Sequence, residues 1–158
     1  MAGLLAAGTI RMLSVRRPQP ISELVAMLRV EARRGDHLLF NAAYGEIPFD
    51  YYARRGGVNL EESGFPITTT EWWSHQSFKG WGSPVPTTRD LDSTVAVLRS
   101  RLAPGSSIWL VLFETAYYDP NERVLQRVAH EGHVARTWAS SDSTWRAVQV
   151  QFRKDQDR

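Results

Sequence analysis

No cysteine occurs among the 158 residues, so disulfides, thiolate metal sites and a thiol nucleophile are excluded. A large charge of one sign is also missing. Nineteen Lys and Arg stand against seventeen Asp and Glu, a net charge of +2. The arginines are scattered among acids, which argues against a nucleic-acid partner. No apolar run approaches the roughly twenty residues that a membrane-spanning helix needs. Gly-rich phosphate loops are missing as well: there is no three-glycine dinucleotide fingerprint after a strand and no Gly-Lys-Ser/Thr. A Gly-x-Ser-x-Gly nucleophile turn is absent, and Ser106-Ser107 precede a strand instead of following one. The pair His130 and His133 is three apart across Gly132, whereas a helical zinc motif needs its histidines four apart on one face. A solvated helix end suits it better. The chain therefore calls for no metal and no cofactor.

What is present suits one soluble domain. A chain of this length, 42% hydrophobic and 23% charged, would bury roughly 70% of its unfolded surface. Two prolines make Arg16 to Pro20 an extended linker. From Ser22 as cap, Leu24, Val25, Leu28 and Ala32 follow helical spacing, and Gly35 suits the stop. Leu38 to Ala43 reads as a strand covered on both faces. Pro48 opens a helix that Gly56-Gly57 end, and Val58 to Leu60 form a short second strand. Residues 61 to 86 are irregular but hold Trp72, Trp73, Phe78 and Trp81, and aromatics of that size argue against disorder. Thr87 to Asp90 carry capping chemistry ahead of a stripe of Leu91, Val95, Leu98 and Leu102. Ile108 to Phe113 is the strongest buried strand. Asp119-Pro120 opens a helix stopped near Gly132, and Val134 to Ala139 with Trp145 to Phe152 read as an antiparallel hairpin at the sheet edge.

This alternation predicts an α/β fold: a three-layer α/β/α sandwich on a mostly parallel, Rossmann-like sheet, with a C-terminal antiparallel hairpin. The expected boundaries are a stub and linker over 1–20, the domain over 21–152 and a frayed tail over 153–158. The apolar stretch from Met1 to Ile10 ahead of Arg11 is either an amphipathic helix or the last turns of a membrane helix.

Ligands of open α/β sheets bind at the C-terminal ends of the strands. The turn after the first strand supplies Asn41, Tyr44, Glu46 and Asp50 there, and the turn after the strong strand supplies Glu114, Tyr117, Tyr118 and Asp119. Paired carboxylates at that edge suit acid–base work if burial raises one of them. Capping of helix N-termini is the better reading of Glu46 and Asp119, since carboxylates do this routinely. Trp72, Trp73 and Trp81 suit stacking on a sugar ring, a lipid interface or the pinning of their own loop.

The segments Gly35-Asp36, Leu38-Leu39-Phe40-Asn41-Ala42, Tyr44-Gly45 and Pro48-Phe49-Asp50-Tyr51-Tyr52, then Gly64-Phe65-Pro66, Trp109-Leu110-Val111 and Tyr118-Asp119-Pro120, carry a resemblance. In this order, over roughly residues 20 to 152, the chain resembles the C-terminal soluble region of bacterial polytopic glycosyltransferases. These are relatives of protein mannosyltransferases and of the enzymes that add aminoarabinose or galacturonic acid to lipid A. The resemblance implies an accessory domain on the extracytoplasmic, periplasmic face of a membrane. Its partner would be a transmembrane catalytic domain or subunit that moves a sugar from a polyprenyl-phosphate donor to a cell-envelope acceptor. The family's catalytic acid lies in an early loop between membrane helices, which nothing here matches, so no catalytic residue is carried over. The turn from Tyr44 to Tyr52, Tyr51 included, and the loop with Trp72 and Trp73 match positions that would touch acceptor or membrane domain. In this light residues 1–15 resemble the stub of a last membrane helix. The alternative from the residues alone is a free-standing sugar- or nucleotide-binding α/β module.

Overall fold

The computed structural model describes residues 19–67 and 86–153. The expected stub, most of the tail, and Trp72, Trp73 and Trp81 lie outside them. Among the described residues no helix is long and apolar enough to cross a membrane.

The elements are α1 (Pro20–Glu31), β1 (His37–Phe40), a 3-10 turn at Ala43–Gly45, α2 (Glu46–Gly56), β2 (Glu61–Gly64), α3 (Thr88–Arg101) and β3 (Ser107–Phe113), followed by α4 (Thr115–Tyr118), α5 (Arg123–His130), β4 (Gly132–Ala139) and β5 (Trp145–Phe152). The fold is mixed α/β, with one sheet in the order β2-β1-β3-β5-β4. β1 runs parallel to both β2 and β3. β5 runs antiparallel to β3 and to β4. Parallel pairing is thus confined to one half of the sheet, and the C-terminal hairpin joins it through β5.

Alternation along the strands divides the core. Leu38, Phe40, Trp109, Val111 and Ala147 pack with Ile21, Leu24, Val25 and Leu28 of α1 and with Phe49 and Ala53 of α2. Their neighbours Leu39, Ile108, Leu110, Leu112, Val148 and Val150 pack with Leu91 and Leu98 of α3 and with Val124 and Val128 of α5. Successive strand side chains point to opposite faces, so both faces of the central strands are apolar, which is why they read as continuous apolar runs in the sequence.

Several boundaries differ from those expected. α1 begins at Pro20, where a missing N–H costs nothing. Ser22 is not the cap, because its hydroxyl donates to the Gln19 carbonyl at 2.7 Å. The helix closes at Ala32, and Gly35 (φ 94°) serves the turn into β1 instead. α2 opens at Glu46, two residues before Pro48, which still lies among the first N–H groups that have no intrahelical acceptor. Gly57 ends it in the left-handed conformation (φ 71°) after 11 residues, more than the two turns expected. The second strand is Glu61–Gly64, not Val58 to Leu60. Val58 and Leu60 pack on the apolar cluster beneath, while the polar residues after them make the ladder with β1. The helix expected from Asp119-Pro120 is α5, which starts at Arg123, and the short α4 precedes it. The capping box of α3 is as read, with Thr87 and Asp90 bonded reciprocally. Both hairpin strands also fall where expected, β4 starting two residues earlier.

Candidate functional site

Two polar side chains bolt β1 to β3. Asp36, 2% exposed, accepts from the backbone N–H of Ser107 at 2.8 Å and from Nε1–H of Trp109 at 3.1 Å. At the other end Asn41 accepts from the Phe113 N–H at 2.8 Å and donates to the Phe113 carbonyl at 3.1 Å. Asn41 thereby extends the ladder beyond the last strand residue, and its polar atoms are committed to the backbone.

Beyond that bolt the strands' C-terminal edge opens into an aromatic group. β3 is followed by Glu114, whose backbone is left-handed (φ 46°, ψ 42°), an uncommon conformation for a residue with a Cβ. The Glu114 carboxylate accepts from the Tyr44 hydroxyl. The Tyr44 ring packs on Tyr118 with centroids 5.1 Å apart and edge-on to Phe113 at 5.5 Å. Phe113 in turn stacks on Trp145 at 4.2 Å, and Tyr118 packs against Tyr117, which is 48% exposed. Burial, with the carboxylate of Glu114 beside it, raises the Tyr44 phenol far above its ordinary value. It is a neutral donor at all physiological pH.

A second group lies between α2 and β2. Glu46 sits in the first turn of α2, and burial, then the charge of Asp50, raises its carboxyl. Asp50 forms an ion pair with Arg54 at 2.8 Å. Glu62 of β2 faces both acids. Burial, then a hydrogen bond with Asp50 and the charges of Asp50 and Glu46, push it up to about 8, against the opposing pull of Arg54. Close packing sustains this crowding. A Cβ on Gly64 would collide with Ala43 and stand 2.6 Å from Glu46 Oε1, so glycine alone lets β2 approach the 3-10 turn.

Of the residues expected at the edge, the fold brings Tyr44, Glu114 and Tyr118 into contact and sets Asn41 directly behind them. Glu46 and Asp50 belong to the second group. Tyr51, 55% exposed, stands on α2 against Tyr52, with the Arg55 guanidinium 3.9 Å from its ring centre. Asp119 is wholly buried and accepts from the N–H groups of Arg123 and Val124, both at 2.8 Å. It opens α5 and has no oxygen left for a ligand. The buried carboxylate of Glu131 is taken up by Arg99 and Arg127, and His130 and His133 on either side of it are exposed. Among the described residues no three His, Cys, Asp or Glu side chains are grouped to hold a metal ion.

Sequence reasoning missed Asp36, Phe113, Trp145 and Glu62 as parts of these arrangements. For Glu62 the one available signal was a Glu-Glu pair directly before Ser-Gly-Phe-Pro, which reads as turn chemistry until the strand is placed. No protein-family model matches the chain, and neither the curated proteins nor the solved structures give a significant match.

Proposed function

We propose that this chain is the accessory extracytoplasmic domain of a membrane glycosyltransferase. In this reading a transmembrane partner performs the transfer from a polyprenyl-phosphate sugar, and the domain contributes its strand-end tyrosines to the envelope acceptor or to that partner. The finer architecture belongs to the same proposal: a three-layer, Rossmann-like sandwich with α1 and α2 on one face and α3 and α5 on the other. One observation carries the reading. The segments that hold the resemblance are far apart in sequence, yet the Tyr44 and Tyr118 segments meet at one edge through the ring contact and the Tyr44–Glu114 bond. Others hold the sheet in shape, Asn41 at that edge and Asp36 at the opposite end of the same strands. A carboxylate flanked by tyrosine faces suits a sugar, whose hydroxyls donate to the acid while its C–H face stacks on a ring.

The test has two parts. The coding DNA beside this segment is expected to encode hydrophobic helices, in frame or as an adjoining gene. The purified chain is expected to transfer no label from a radiolabelled polyprenyl-phosphate sugar by itself. Unaided turnover, or a genomic setting without any membrane-protein neighbour, overturns the proposal.

The second reading, a free-standing sugar- or nucleotide-binding module, is favoured by the half-open setting of Tyr44 and Tyr118. Trp145 reports on this edge because it stacks on Phe113. Titration with sugar phosphates, followed by tryptophan fluorescence, is expected to saturate and to be abolished in Tyr44→Ala under this reading. A flat response removes it.

A further inference from the structure

At the opposite, N-terminal edge of the parallel strands a different group of side chains meets. His37 opens β1 and is 2% exposed. Its Nε2 lies 3.1 Å from the Ser63 hydroxyl on β2. Its Nδ1 has no hydrogen-bond partner among the described residues, and Glu61 Oε2 stands 3.9 Å away. Arg101, at the end of α3, reaches the Ser63 hydroxyl at 3.4 Å and Glu61 Oε1 at 3.7 Å. The parallel register explains the grouping. His37 pairs with Glu61 and Leu39 with Ser63, so residues 61 and 63, two apart, share the face that His37 presents to α3. β2 is an edge strand, and Glu61 and Arg101 are both exposed.

We propose that Ser63 is an activated nucleophile for acyl esters, with His37 as its base, Glu61 as the positioning residue for His37, and Arg101 as the cation beside the developing oxyanion. Glu61 faces Nδ1 and favours the tautomer with its proton there, which leaves Nε2 to accept from the serine hydroxyl. In the first step Ser63 Oγ bonds to the ester carbonyl carbon and its proton passes to His37 Nε2. The carbon–alkoxide bond then breaks, and the leaving alkoxide takes that proton as an alcohol. In the second step water attacks the acyl-serine and gives a proton to His37, which returns it to Ser63 as the acid leaves. The substrate class is a carboxylic ester. Desolvation lowers the His37 imidazole below its ordinary value, so the base is free at neutral pH.

The inference stands apart from the reading of the C-terminal edge and fails or holds without it. Its test is covalent labelling of the whole chain with a fluorophosphonate, followed by intact mass and peptide mapping. The expected result is a single adduct on Ser63, absent in Ser63→Ala, with a labelling rate that falls on the acid side of the ordinary imidazole range. His37→Gln is expected to slow labelling by about 100-fold. If that variant does not fold, the solvent-facing Glu61→Gln carries the test. Loss of that negative charge lowers the imidazole further and moves the acid limb of the profile to lower pH, and Glu61→Asp restores it. No adduct, an adduct on another residue, or an acid limb indifferent to Glu61→Gln overturns the proposal and leaves these groups as a tie between β2 and α3.

Discussion

Glu62 keeps its proton to about pH 8 because its carboxyl is partly buried and faces two other acids. The ordinary value in an unfolded chain is 4.5, so between these limits the folded state binds more protons than the unfolded one. Stability is then fully present below 4.5 and is lost as pH rises through 8. Glu62→Gln keeps the neutral, hydrogen-bonding shape at every pH. The variant should match the parent near pH 5 and exceed it at pH 9 by on the order of 1 kcal/mol, once water screening at this half-exposed site is discounted. Urea denaturation across that range measures it, and equal midpoints at pH 9 reject the coupling. His37 acts with the opposite sign. Its lowered imidazole holds stability above pH 6.5 that is lost as pH falls. The sequence revealed Asp119 as a helix-opening carboxylate because a cap works within a few residues. It hid the strand-tying roles of Asp36 and Asn41, whose partners lie 71 to 73 positions away and leave no local pattern.

At the scale of elements, α5 depends on one buried anion. Its formal N-cap, Glu122, is left-handed (φ 51°) and makes no side-chain cap bond, so the Asp119 carboxylate alone receives the first N–H groups. Asp119→Ala leaves the N–H groups of Arg123 and Val124 unpaired in a buried place and should cost about 2–4 kcal/mol, with Asp119→Asn falling between. Thermal melts of the two variants check the order, and an alanine variant as stable as the parent removes this account of the helix. The same scale shows what periodicity can deliver. β1 and β3 were legible as apolar runs, and β5 as an alternation. β2 was not, since Glu-Glu-Ser-Gly has neither signature and becomes a strand through its pairing with β1. α4 was not expected, and α5 starts three residues beyond Pro120, each following a left-handed glutamate, Glu114 or Glu122, a residue type that gives no such warning.

Over the whole molecule, β3 is the strand on which the two halves of the sheet depend. It holds β1 on one side, parallel, and β5 on the other, antiparallel. The mixed α/β class and the hairpin at the sheet edge were readable from the order of apolar segments, but which of its strands meets β3 was not, since strand order is a matter of long-range pairing. The Tyr44–Glu114–Tyr118 group was likewise readable only as two neighbouring turns, and the fold supplied the contact. A chain ending at Ser143 lacks β5 and exposes one long edge of Ser107–Phe113, an apolar run with unpaired backbone groups. That truncation should appear in the void volume on gel filtration while the 158-residue chain elutes as a folded species, and a monomeric, cooperatively melting truncation refutes the dependence. During translation the ribosome releases β3 some 32 residues before β5 begins, an interval of roughly 2 to 6 seconds. Throughout it the nascent polypeptide offers a sticky, half-finished ribbon, so the time when it most needs a chaperone is written into the sheet's wiring.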